Sequence, residues 1–158
     1  AEGEILQLTA SKDIATTEDI YFKVIRGKTA ALFAAAMEVG AVVADQDEKI
    51  TEALREYGDA LGITFQIVDD LLDYLGTEAI GKNIGDDFRE QKLTLPVIKA
   101  ISVATQSEQI FWKKCIGKGE QTDSDLKNAL TIMSKHNSLE LTRQQALSWS
   151  KKAKLALT

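Results

Sequence analysis

Residues 65–74 read Phe-Gln-Ile-Val-Asp-Asp-Leu-Leu-Asp-Tyr, with three aspartates inside one of the most apolar runs of the chain. An unpaired carboxylate is costly to bury, and like charges one turn apart repel on a helix. At about 100° per residue, with Gln66 at zero, Asp69 falls at roughly 300°, Asp73 at roughly 340° and Asp70 at roughly 40°. The four polar side chains share an arc of about 100°. Leu61, Phe65, Ile67, Val68, Leu71, Leu72 and Leu75 fill the rest of the circle. A surface helix carries a broad polar face, so this pattern predicts a core helix whose narrow acidic stripe faces an internal cavity. The competing arrangement is an exposed acidic face on an amphipathic helix, and the apolar remainder weighs against it. Carboxylates facing a cavity require a cation. Hard oxygen donors with no soft partner nearby suit Mg²⁺ or Mn²⁺. Mg²⁺ takes one or two carboxylates, keeps waters, and completes its shell with substrate phosphates.

The rest of the chain also reads as helices. There is a single proline, Pro96, and no strand alternation stands out. Thr16-Thr17-Glu18-Asp19 marks a helix start that runs to about Val39, rich in alanine between residues 30 and 36. Further helices are expected over about Asp47–Leu61, which Gly62 does not clearly end, and Ile63–Leu75, followed by a polar loop over Gly76–Gln91. Thr94-Leu95-Pro96 opens a helix to about Thr105, with proline in its first turn. A short helix over Ser107–Ile116, a helix capped by Asp123 or Ser124 and reaching His136, and a last helix over Ser138–Leu157 complete the pass. The expected class is all-α, with one domain over residues 1–158 and no internal repeat.

Composition narrows the function. The net charge of −5 argues against a nucleic-acid partner, because phosphate backbones need a basic surface. The lone Cys115 and the lone His136 cannot form a Cys/His metal cluster, so both are read as structural. A single cysteine fits a reducing, cytoplasmic setting. No apolar run reaches the length of a membrane span, about 18 residues or more. The chain opens Ala-Glu-Gly-Glu-Ile-Leu-Gln-Leu with an apolar pattern already running. It reads as entered in mid-helix, and a fragment is expected.

Lysines flank the acidic stripe. Lys82 and Lys92 bracket a glycine-marked stretch, and Lys28 sits with Thr29 in a helix otherwise lined by Ala, Leu and Phe. Any one of them could be a solvated surface charge; the three together suggest a phosphate-binding surface. Gly76-Thr-Glu-Ala-Ile-Gly-Lys-Asn83 approaches the nucleotide-binding pattern GxxxxGK[ST]. It has Asn83 where the Mg²⁺-binding hydroxyl belongs, and it follows a helix where a strand is required.

The segment "FQIVDDLLDY" followed by "GKNIGDDFREQKLTLPVI" resembles the second aspartate-rich motif of trans-polyprenyl diphosphate synthases and its continuation. "EGEILQL" and "YFKVIRGKTAALF" are similar to two upstream signatures of that family, in order. The wording is closest to bacterial octaprenyl/decaprenyl-type enzymes, which make the quinone side chain. The resemblance reaches about Ala104 and implies a helical bundle of the isoprenoid synthase type. It implies that Asp69, Asp70 and Asp73 help to hold Mg²⁺ against an allylic diphosphate. Lys28 and Lys82 would contact that diphosphate, and Thr29 and Gln66 would neighbour the reacting allyl group. Asp87 would stand behind the metal ligands, Lys92 would close the motif, and Gln7 would be a further lining residue. The implied partners are the allylic diphosphate, isopentenyl diphosphate and a second copy in a homodimer. Gln91 departs from the family, which usually has glycine there. The first aspartate-rich motif and the basic residues for isopentenyl diphosphate are absent. The chain therefore resembles the C-terminal half of such an enzyme, a half expected to be inactive alone. A non-catalytic partner subunit is one alternative. A related terpene cyclase or an unrelated helical binding protein is the other.

Overall fold

The computed structural model describes residues 13–75 and 84–158, and every regular element among them is helical. The first element is α1 (Glu18–Ile25), whose Thr17 side chain accepts a hydrogen bond from the Ile20 N–H. It passes without a break through a π-helical turn (Arg26–Ala30) into α2 (Ala31–Val43). Then follow α3 (Glu48–Leu75), the short α4 (Asp86–Arg89) and α5 (Leu95–Ser102), with Pro96 in its first turn. Next come α6 (Gln106–Trp112), which runs on into a second π turn (Lys113–Gly117), α7 (Asp125–Lys135) and α8 (Ser138–Ala156). The all-α expectation holds.

The expected break between Leu61 and Ile63 is not there. Gly62 lies within the continuous α3, and the reason is packing. A Cβ on Gly62 would stand 2.6 Å from the Ala30 Cα, and one on Gly58 would stand 2.6 Å from the Phe33 carbonyl oxygen. Gly58 and Gly62 are one turn apart on the same face. They let the backbone of α3 come against the π turn and the start of α2, where Ala30 and Ala34 add no bulk. The helix-forming alanines of α2 thus have a second job as a shallow surface.

α3 is the central helix, with α2 packed on one side and α8 on the other. Its inward residues Ile63 and Ile67 join Tyr21, Ile25, Ala30, Leu95, Ile98 and Ala146 in one core cluster. Tyr74, at the far end of α3, belongs to a second cluster with Phe88, Val97, Trp112, Cys115, Ile116 and Met133. Contrary to the all-round core reading, the outer face of α3 is open: Phe65 is 55% exposed, and Val68, Leu72 and Leu75 are exposed beside it. On α2, Leu32, Val39, Val42 and Val43 are exposed as well.

The two residues read as structural are so placed. Cys115 is fully buried, and burial pushes its thiol up to about 11. His136 Nε2 lies 2.9 Å from Glu108 Oε2, and Lys135 Nζ lies 2.7 Å from Glu108 Oε1. Glu108 also accepts the Thr105 N–H in a capping box at the start of α6. Its carboxylate is held well below the usual range by Lys135 first and His136 next. One acid thus ties the start of α6 to the end of α7.

Gly62→Ala tests the close approach. Alanine is the better helix former by about 1 kcal/mol, but its methyl group meets backbone, which cannot rotate away. The variant is expected to lose about 1–3 kcal/mol in urea denaturation, the usual range for an overpacked core. A gain in stability would contradict the packing argument.

Candidate functional site

The π turn is where the first site residues sit. Such a turn inserts one extra residue into a helix and is frequent at functional sites. Here it carries Lys28, exposed, and Thr29, half-buried. The Thr29 hydroxyl donates to Gln66 Oε1 on α3 at 3.0 Å. Gln66 Nε2 donates in turn to Asp70 Oδ1 at 2.9 Å, and the Tyr21 hydroxyl donates to Asp70 Oδ2 at 2.6 Å. A polar chain of four side chains therefore runs Thr29–Gln66–Asp70–Tyr21 between the first helix and α3, and it holds both oxygens of one carboxylate.

Gln66, Asp70 and Tyr21 line a cavity of about 220 Å³ with Asp69, Asp87, Lys28, Lys92 and Thr94. Six sequence-selected residues meet here: Lys28, Gln66, Asp69, Asp70, Asp87 and Lys92. Thr29 reaches it through Gln66. Three carboxylates stand against two ammonium groups around the cavity, so its balance favours a further cation. Burial pushes the Asp70 carboxyl up to about 6, against the lowering effect of the Tyr21 and Gln66 hydrogen bonds. Asp87 and Asp69 add repulsion in the same direction. The ammonium of Lys92 lies 2.6 Å from Glu90 and 3.1 Å from Asp87, and those partners, Glu90 foremost, raise its pKa.

Asp73 stands apart from the other acids. It is buried and does not line the cavity. Its Oδ2 accepts the Asp87 N–H at 3.2 Å, and its carbonyl accepts the Gly85 N–H at 2.8 Å. Gly85 sits at φ 80°, a left-handed conformation that glycine adopts without strain. The turn at residues 85–87 is thereby pinned to the last turns of α3. Burial first, and then Asp87, push the Asp73 carboxyl up to about 6. Lys82 and Gln7 lie outside the described residues.

Among the described residues no three carboxylate, imidazole or thiol side chains converge as a self-contained metal cage. The donor set instead fits one wall of a magnesium–diphosphate site: Asp69 and Asp70 on one cavity, hard oxygens only, with lysines beside them. Mg²⁺ takes few carboxylates from a protein where phosphates supply the rest.

Some lining residues were missed in the sequence, Tyr21 and Thr94 among them. Tyr21, Val24, Ile25 and Lys28 all line the cavity at spacings of three, four and seven, one helical face. That spacing was a legible signal for Tyr21. Thr94 brings a buried hydroxyl with no hydrogen-bond partner to the same cavity, and nothing in its spacing marked it.

The Tyr21 contact can be tested without a ligand. Tyr21→Phe removes a donor that stabilises the charged form of Asp70, so the Asp70 carboxyl should titrate above its present value of about 6. A ¹³C carboxyl titration of the metal-free protein reads this directly. An unmoved or lowered midpoint would contradict the assigned hydrogen bond.

Known proteins share this arrangement of helices. The family model described as polyprenyl synthetase matches residues 1–133. The octaprenyl diphosphate synthase of Haemophilus influenzae is 40% identical over 154 residues, which are 97% of this chain and 46% of that protein. The crystal structure of a decaprenyl diphosphate synthase from Rhodobacter capsulatus superposes with a TM-score of 0.93 at 60% identity, covering 99% of this chain and 48% of that one. A polyprenyl synthase from Caulobacter crescentus CB15, complexed with calcium and isoprenyl diphosphate, superposes with a TM-score of 0.93 at 47% identity, again covering 99% and 48%. The chain thus spans about half the length of these relatives. With a family match over most of its length and a helical arrangement shared with solved synthases, this chain belongs to the polyprenyl synthetase family.

Proposed function

We propose that this chain supplies the metal–diphosphate wall of a prenyltransferase. The whole protein would extend an allylic diphosphate with isopentenyl diphosphate to a long-chain polyprenyl diphosphate, a precursor of quinone side chains. The observation that carries the reading is the convergence of Asp69, Asp70, Gln66 and Lys28 on one cavity, with Thr29 tied in through Gln66. The octaprenyl and decaprenyl names of its relatives support a long product. The calcium and isoprenyl diphosphate in the Caulobacter protein support a divalent cation beside a prenyl diphosphate.

Magnesium or manganese, when bound, would neutralise the charge that builds on the departing diphosphate. Asp69 and Asp70 would hold it. Tyr21 and Gln66 orient Asp70, so that its carboxylate does not have to reorganise when the ligand arrives. Asp73 contributes one turn on, where it also keeps Asp87 and the 85–87 turn at the cavity. Lys28 and Lys82 would donate charge-assisted hydrogen bonds to the diphosphate oxygens. Asp87 stands behind the metal ligands and holds Lys92. Gln66, with Thr29 bonded behind it, would neighbour the allylic carbon, where positive charge develops as the carbon–oxygen bond breaks. The double bond of isopentenyl diphosphate then attacks that carbon, a carbon–carbon bond forms, and a proton leaves the adjacent carbon. No side chain is needed as a nucleophile.

The exposed apolar faces of α2 and α3 fit a chain that works packed against further protein, so the 158 residues alone are inactive in this reading. In this reading the whole enzyme would be a homodimer working in the cytoplasm. Separately, no described helix is long and apolar enough to cross a membrane.

Steady-state kinetics of the whole protein test the assignment. Asp69→Ala and Lys28→Ala should each lower turnover by on the order of 10²-fold, the scale for losing one preorganised charge-stabilising group. Their circular dichroism should stay that of the parent. Parent-like turnover in Asp69→Ala would overturn the metal assignment.

A further inference from the structure

The outer side of the π turn carries a second constellation that the reaction does not use. Arg26, the first residue of that turn, donates from Nε to Asp59 Oδ1 at 3.0 Å and from Nη2 to Asp59 Oδ2 at 3.1 Å. Its guanidinium carbon also lies 5.6 Å from the ring centre of Trp149 on α8. Lys152 Nζ lies 3.9 Å from the same ring centre, and Phe22 packs beside it. Arg26, Asp59 and Lys152 border a groove between the π turn, α3 and α8.

The backbone of Arg26 belongs to the π turn itself. Its carbonyl accepts the Ala31 N–H, a bond spanning five residues, which defines this kind of turn. The turn is therefore fixed against α3 at three levels. Arg26 is held by Asp59 at its start, Thr29 bonds to Gln66 within it, and Ala30 rests on Gly62 at its end. Asp59, Gly62, Gln66 and Asp70 lie on one face of α3 at spacings of three, seven and eleven. The face that carries the carboxylate is thus also the template for the turn.

We propose that Arg26 is a positioning residue: clamped between Asp59 and Trp149, it sets the register of the π turn and so the placement of Lys28 and Thr29 in the cavity. The clamp makes α8, which contributes no residue to that cavity, a support of the site. An ion pair as exposed as this one, 51% and 26%, adds little to stability. Its effect falls on geometry, where a small misplacement of a substrate-holding group slows a reaction strongly. The kinetic readout rests on the prenyltransferase reading above; the exchange readout does not.

The test uses the whole protein that carries this chain, with Arg26→Met, Asp59→Asn, Arg26→Lys, and Arg143→Met as a control. Arg143 pairs with Glu140 on α8 at a similar exposure and lies outside the groove. Arg26→Met and Asp59→Asn should lower kcat by on the order of tenfold. Their KM for isopentenyl diphosphate and melting temperature should stay near the parent's, and Arg26→Lys should recover part of the loss. In the same two variants the Ala31 amide should exchange with solvent on the order of tenfold faster, as a locally loosened turn does, while amides of α7 are unchanged. Arg143→Met should change none of these. Parent-like kcat overturns the proposal, and so does parent-like exchange at Ala31, even if kcat falls. If the parent protein makes no prenyl product, the prenyltransferase reading fails, and exchange at Ala31 alone decides the clamp. Should Arg26→Met fail to fold, Asp59→Asn carries both readouts.

Discussion

The structure depends on how closely the π turn can approach α3. Two glycines one turn apart leave room for a backbone where side chains would normally stand, and any Cβ there would overlap main-chain atoms. With that approach, a threonine hydroxyl on one helix reaches a glutamine on the other, and a tyrosine reaches an aspartate four residues further on. If the helices were spaced by ordinary side chains, usually 8–10 Å between axes, these short polar side chains would no longer span the gap. The cavity is in this sense a consequence of small residues that carry no chemistry.

Around the cavity the chain's own charges do not balance, with three carboxylates against two ammonium groups. Burial and neighbouring acids push Asp70 up to about 6, although two hydrogen bonds work in the opposite direction. A carboxylate in that condition is relieved by a cation. Lysines alone do not balance the cavity, since Lys92 is already engaged by Glu90 and Asp87. A divalent ion bound together with a diphosphate would bring positive charge to the acids and negative charge to the lysines at once. Asp73 illustrates a different use of the same residue type. Its carboxylate takes a backbone N–H and holds a turn in place, while Asp69 and Asp70 line the cavity.

Much of this was legible in the sequence, and the failures are instructive. Helix type followed from apolar spacing, and most ends came within a few residues, as with Thr94–Pro96 opening α5 and Ser124 directly preceding α7. Of the acidic stripe, Gln66, Asp69 and Asp70 line a cavity as expected, whereas Asp73 turns to the Asp87 N–H instead. The segments on either side of Gly62 were read as two helices although Gly62 gave no clear stop, since a glycine that ends a helix and one that lets two helices touch look alike without the partner's position. The π turn was invisible for a related reason: a uniform angle of about 100° per residue cannot show a single inserted residue. The all-round apolar pattern of α3 was read as burial, whereas Phe65, Val68, Leu72 and Leu75 are exposed in this chain. Composition reports what a surface is made of and leaves open what covers it.

The central claim is that Asp69 and Asp70 bind a prenyl diphosphate through a divalent ion. Calorimetry of the whole protein with a non-cleavable allylic diphosphate analogue, in Mg²⁺ and in a chelator, tests it most directly. The account predicts binding that depends on Mg²⁺ in the parent and weakens by on the order of 10-fold or more in Asp69→Asn with Asp70→Asn, the scale of losing charged ligand contacts. Equal affinity with the metal removed, or an unweakened double variant, would contradict it.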